Sequence, residues 1–217
     1  MSLLANGEEV LKIAKIINES GVILLQTDTV FGLVCLGTNE DAIEKIKKIK
    51  NRVKPSFGFF VKNLQIAEKY AVFNDIQRQI FNTIFPGHFT LILPATNYAK
   101  KTISNTALGT RKKNEQTITT IGLRIPKNNF CIKLLSNFDV PLLATSANIS
   151  GQPTATNFTD IPREILQSVD AIYYDQKHSS KNIASTIVDI TDINSTEIIR
   201  QGSGDINLID KIIKKYN

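Results

Sequence analysis

The stretch EEVLKIAKIINESGVILL, residues 8–25, decides the fold class. Its first part sets Val10, Leu11, Ala14 and Ile17 on one stripe at helical spacing, which predicts an amphipathic helix from Glu8 to Asn18. Gly21 punctuates the chain, and Val22-Ile23-Leu24-Leu25 follows as an unbroken apolar run. Such a run is the pattern of a strand buried on both faces. A helix leading straight into a buried strand is the building unit of an α/β protein.

Outward from that unit the alternation continues. Asn39-Glu40-Asp41 can cap a helix running to about Ile49, whose acidic start and lysine-rich end both suit the helix dipole. Strands are expected over 57–61, 89–93, 118–125 and 140–144, then over 170–174, 185–190 and 197–200. Helices are expected over 75–85, 129–136 and 207–215. Between Pro94 and Thr117 the chain turns polar, with Tyr98, Lys100, Lys101, Arg111, Lys112 and Lys113 and no sustained period, so a long loop is expected there. No segment recurs at a repeat-protein spacing. Several strand connections are too short for a helical crossover, which predicts a single open, twisted, mixed β-sheet flanked by helices.

Composition bounds the function. With 217 residues, 42% hydrophobic and 21% charged, the chain suits one domain of ordinary globular type spanning 1–217. No stretch approaches the 18 or so apolar residues of a membrane span, so no membrane is expected as a partner. The start, Met1 to Glu9, lacks a basic leader and a long apolar run, which predicts a cytoplasmic protein. Cys35 and Cys131 share no metal-ligand spacing, and His88 and His178 stand isolated, so buried thiols and no structural metal are expected. The formal charge of +6 suits an anionic ligand, nucleotide or RNA.

Neither a P-loop nor a dinucleotide-binding glycine pattern is present, so any phosphates must be held by side chains. Lys50-Asn51-Arg52 closes the basic helix and offers a compact charge beside a bidentate fork; alternatively Lys45, Lys47, Lys48 and Lys50 form a solvated helix face. Ser146-Ala147-Asn148 follows an apolar strand, where α/β sheets present loops to a ligand crevice. A serine hydrolase is excluded, because no Gly-x-Ser-x-Gly surrounds Ser146. Arg124 sits in an otherwise apolar strand, so it either meets a protein carboxylate or awaits an anionic ligand.

With Thr27-Asp28-Thr29-Val30-Phe31-Gly32-Leu33 and Thr120-Ile121-Gly122-Leu123-Arg124-Ile125-Pro126, these clusters resemble, in order and spacing, the YrdC/TsaC family of threonylcarbamoyl-AMP synthases. The resemblance covers a core of about 8–206 and implies a YrdC-like domain with a concave basic cavity, in the single-domain form. It implies a nucleotidyltransferase making threonylcarbamoyl-AMP and pyrophosphate from L-threonine, bicarbonate and ATP, the first step of the N6-threonylcarbamoyladenosine modification of tRNA. The tetrad of the family falls on Lys50, Arg52, Ser146 and Asn148. Threonine contacts fall on Thr29, Arg124, Ala144 and Ser185, and nucleotide contacts on Lys50, Arg52, Lys54, Thr120, Ser146, Thr154 and Arg200. Phe31 replaces a tyrosine, and Phe60 is the counterpart of a histidine that some relatives use. Mg²⁺ is expected with ATP, a tRNA contact is a candidate, and proteins that transfer the modification downstream are expected partners. The rival readings are an RNA-binding module without nucleotide turnover and a carbamoyl-adenylate-forming carbamoyltransferase.

Overall fold

The computed structural model describes residues 7–51, 57–113, 116–177 and 180–216. The opening unit forms as α1 (Gly7–Asn18) and β1 (Ile23–Gln26). Between them the chain turns so tightly that the Gly21 amide donates to the Ile16 carbonyl at 2.8 Å, and a β-carbon at Gly21 would lie 2.6 Å from that oxygen. Only glycine fits so close an approach. Asn39 caps α2 (Glu40–Lys50) by accepting from the Ala42 amide, with Glu40 and Asp41 in the first turn and Lys47, Lys48 and Lys50 in the last. Both ends suit the dipole, as the sequence predicts.

The later strands are β2 (Phe31–Leu36), β3 (Gly58–Phe60), β4 (Phe89–Pro94), β5 (Gly109–Lys113), β6 (Gln116–Arg124), β7 (Leu142–Ser146), β8 (Ala171–Tyr173), β9 (Thr186–Asp189) and β10 (Glu197–Arg200). The later helices are α3 (Leu64–Tyr70), α4 (Asp75–Ile84), α5 (Asn97–Thr102), α6 (Asn129–Leu135), α7 (Arg163–Ser168) and α8 (Asn207–Ile213). The strands join one sheet in the order β10-β9-β4-β6-β3-β7-β2-β1-β8, with β5 added on β6. Pairing is mixed: β1–β2, β2–β7, β3–β7 and β4–β6 run antiparallel, while β1–β8, β3–β6 and β4–β9 run parallel. This is the mixed sheet that the short connections demand.

One expectation needs correction, and one strand was not expected. The described residues of the polar stretch from Pro94 to Thr117 include regular structure: Thr96 caps α5, and β5 pairs with the first half of β6. β5 carries Thr110, Arg111 and Lys112 because its neighbour on β6 is itself polar there, so no apolar alternation marks it. The segment after Thr27-Asp28-Thr29, read as a motif alone, continues as β2, paired between β7 and β1.

Side chains alternate across the sheet. On one face Leu24, Leu33, Phe59, Leu91, Leu123 and Leu143 enter a large core with α2, α3, α4 and α8. On the other, Ile23, Leu25, Val34 and Leu142 pack against Val10, Ile13 and Ile17 of α1 and Phe130 and Leu134 of α6. Those two helices cover the β1, β2 and β7 side of this second face. Beyond them, over β3, β6, β4 and β9, the same face lines a cavity.

Candidate active site

Missing side chains make the cavity floor. Ala144, Gly58 and Gly122 lie side by side on β7, β3 and β6, in register with Ile92 of β4. Three neighbouring strands thus present no more than one methyl group, and a depression of about 450 Å³ opens over them, a size suited to a small-molecule ligand. A β-carbon at Gly122 would stand 3.3 Å from the Thr90 methyl. Thr120, Gly122 and Arg124 alternate onto this face, and all three line the cavity.

At one end Arg124, 5% exposed, is clamped from three directions. Its Nε donates to the Gly87 carbonyl at 3.2 Å, its Nη1 to Thr29 Oγ1 at 2.9 Å and its Nη2 to Asp28 Oδ1 at 2.7 Å. Its guanidinium carbon lies 5.7 Å from the centre of the Phe60 ring, its cross-strand neighbour, within cation–π range. The acceptors come from a tight turn between β1 and β2, in which Thr27 Oγ1 donates to the Val30 carbonyl at 2.7 Å and accepts from the Thr29 amide at 3.1 Å. Of the two alternatives posed for this arginine, the carboxylate partner is present, and the residue also lines the cavity.

Ser185, just before β9, exchanges a hydroxyl bond with Thr90 at 3.0 Å. Its carbonyl accepts from Arg200 Nε at 3.1 Å and Nη2 at 2.9 Å, which fixes that arginine on the cavity rim. Crowding by protein, and then the neighbouring Arg124 cation, push the Arg200 guanidinium below its ordinary pKa. Arg111 is a third lining guanidinium, held by Asp189 at 2.7 Å. The sequence reading places it in a loop.

At the other end lies the loop leaving β7. Ser146 Oγ donates to Asn148 Oδ1 at 2.5 Å, and Asn148 Nδ2 donates to the Gln152 carbonyl at 2.7 Å. Lys50 lies behind this loop: its Nζ donates to the carbonyls of Ser146 at 2.5 Å and Asn148 at 2.7 Å. The solvated-face reading of the lysine helix therefore divides. Lys45 pairs with Asp170 and Lys47 with Glu44, whereas Lys50 is 2% exposed.

The family model Sua5/YciO/YrdC, described as telomere recombination, matches residues 15–202. The chain belongs to the Sua5/YciO/YrdC family. It is 30% identical over 173 residues to a putative threonylcarbamoyl-AMP synthase of Methanocaldococcus jannaschii, covering 79% of this chain and 75% of that protein. It is also 26% identical over 194 residues to the uncharacterized protein YciO of Escherichia coli, covering 88% of each. The solved structure of P. abyssi Sua5 complexed with L-threonine superposes with a TM-score of 0.81 at 23% identity, over 96% of this chain and 58% of that one. At that identity the likeness speaks for the Sua5-type fold alone.

Of the residues that the family resemblance singles out, Thr29, Thr120, Arg124, Ala144, Ser146, Ser185 and Arg200 line one cavity. Lys50, Asn148 and Thr154 are not among the lining residues. Lys50 and Asn148 stand behind Ser146 and hold its loop. Arg52 and Lys54 lie outside the described residues. Phe31 also lines the cavity and packs its ring on Phe158 and Tyr174, at 5.9 and 5.7 Å between centroids.

The sequence reading missed Asp28, Arg111, the glycine floor and His88. Asp28 was signalled by its place between two threonines at a strand end, and Gly58 and Gly122 by alternation with Phe60 and Arg124. His88 was counted as isolated, yet its Nε2 is 3.4 Å from Asp28 Oδ2. Burial lowers its pKa, Asp28 opposes that, and Lys181, Arg124 and Lys127 add to it. Burial also pushes the Cys35 thiol up to about 12 and raises that of Cys131, so neither is a nucleophile at neutral pH.

Proposed function

We propose that the chain is an L-threonylcarbamoyladenylate synthase of tRNA modification, acting in the cytoplasm. The observation that carries this reading is a single cavity with a clamped arginine, hydroxyls at Thr29 and Ser185, and a second arginine at its rim. Arg124 receives the α-carboxylate of threonine, because a fixed planar fork matches a carboxylate. Ser185 and Thr29 receive its hydroxyl and amine. The amine takes up bicarbonate with loss of water to form a carbamate, a carbamate oxygen bonds to the α-phosphorus of ATP, and the bond from that phosphorus to the pyrophosphate breaks as pyrophosphate leaves. Arg200, Thr120 and the Ser146 loop hold the nucleotide, so the chain contributes orientation and charge stabilisation.

The nucleotide enters as its magnesium complex. Asp28 and Asp189 are paired with Arg124 and Arg111, and no cluster of three or more acidic, histidine or cysteine side chains stands ready for a metal among the described residues, so the triphosphate and water would supply its ligands. The product is a labile mixed anhydride, which passes to a transfer protein acting on tRNA. A cavity of this size, with a glycine floor, favours small substrates over an RNA chain. The test is incubation with ATP, threonine and labelled bicarbonate. Threonine-dependent release of pyrophosphate is expected; its absence overturns the reading.

A further inference from the structure

Asp28 has a second oxygen that Arg124 does not use. Its Oδ1 accepts from Arg124, while its Oδ2 is buried and accepts no hydrogen bond among the described residues. The Nε2 of His88, in the lead-in to β4, stands 3.4 Å from Oδ2, and that side chain is 20% exposed and within reach of solvent protons. A protonated imidazole supplies that oxygen with both a donor and a charge.

The charges decide what this arrangement does. Arg124 and Asp28 together are neutral, so a carboxylate seated on Arg124 leaves the buried group with one net negative charge. The Arg200 cation beside Arg124 meets part of that charge from the rim, and a proton on His88 meets the rest from the buried side. We propose that His88 is a positioning residue that, acting through Asp28, couples the seating of a substrate carboxylate on Arg124 to the uptake of a proton.

The groups facing His88 set its charge before a carboxylate binds. Asp28 comes from the β1–β2 turn, Arg124 from β6, Lys127 from the segment after β6 and Lys181 from the segment before β9. Burial, with three cations beside it, outweighs one carboxylate, so the imidazole is neutral at neutral pH when no carboxylate is bound. A bound carboxylate adds a second anion and shifts the balance toward imidazolium. His88 is not among the residues lining the cavity, so it acts without touching the ligand.

This inference rests on Arg124 as the carboxylate site of the proposed function. It is tested by calorimetric titration of threonine into the full chain without ATP, from about pH 5.5 to about pH 7.5, a window in which imidazole titrates and threonine does not. Affinity should fall about fivefold as pH rises through the window. Heats measured in buffers of different ionisation enthalpy should show proton uptake on binding. In His88→Gln both effects should vanish, with affinity near the high-pH value of the unsubstituted protein. An affinity independent of pH, or an unchanged slope in His88→Gln, overturns the coupling and leaves the function standing. If threonine binds at no pH, the function falls instead, and acetate serves as the carboxylate probe. Acetate should then raise the His88 pKa read by NMR, and should not do so in Arg124→Lys; an unmoved pKa overturns the coupling.

Discussion

Arg124 and Lys50 are both buried cations, 5% and 2% exposed, yet they work on opposite sides of the cavity wall. Arg124 gives N–H groups to Gly87, Thr29 and Asp28, which locks the fork in a residue that also lines the cavity. Lys50 turns its ammonium into the carbonyls of Ser146 and Asn148 and holds the loop from behind. A planar, many-donor group can serve protein and ligand together. A compact ammonium gathers carbonyls around one point, which suits it to bracing a turn.

The largest expected effect breaks the brace. Lys50→Met leaves the half-buried Ser146 carbonyl and the buried Asn148 carbonyl without their charged donor, at a cost of about 3 kcal/mol and a fall in Tm of roughly 10 °C, read by scanning calorimetry. Unchanged Tm with lost turnover would move Lys50 to the ligand side and erase the contrast. Next, Arg124→Lys should lower kcat/KM for threonine about 100-fold, because one ammonium cannot reproduce a bidentate fork, while the Kd of ATP stays put. Equal losses for both substrates would show that Arg124 is a brace as well.

Smaller substitutions sharpen the same comparison. Ser146→Ala removes the hydroxyl bond to Asn148 but keeps the carbonyl that Lys50 holds, so turnover should fall about fivefold with Tm nearly unchanged. The smallest effect is in stability against pH. The folded pKa of His88 lies below the ordinary 6.5, so below about pH 6.5 the unfolded chain binds more protons than the folded one. Stability should therefore decline as pH falls from about 6.5 toward the folded pKa, and His88→Gln should remove that part of the decline in denaturant titrations.

How much was legible follows from how local each cause is. The Asn39 cap and the apolar run of β1 depend on near neighbours, and both formed as read. β5 owes its place to pairing with β6, and nothing in its own residues announces a strand. At the site, the apolar setting of Arg124 announced that it needed a partner, but not that Asp28, on the turn after β1, would supply it. The likeness of Lys50 to its basic neighbours concealed its burial. No local signal separates Lys50 from Lys47, since the carbonyls that hold it come from the far side of β7.

The order of the strands also sets when the cavity can come into being. β1 pairs with β8, β4 with β9 and β3 with both β6 and β7, so its walls join segments made early and late in synthesis. Long loops must close before those pairings stabilise anything, which makes such a sheet slow to fold. Thr29 leaves the ribosome long before Ser185 and Arg200, and until they follow, the apolar strands at the centre of the sheet lack their flanks. The nascent chain is thus most exposed to misassociation just before its last strands arrive, and a chaperone has most to offer in that interval.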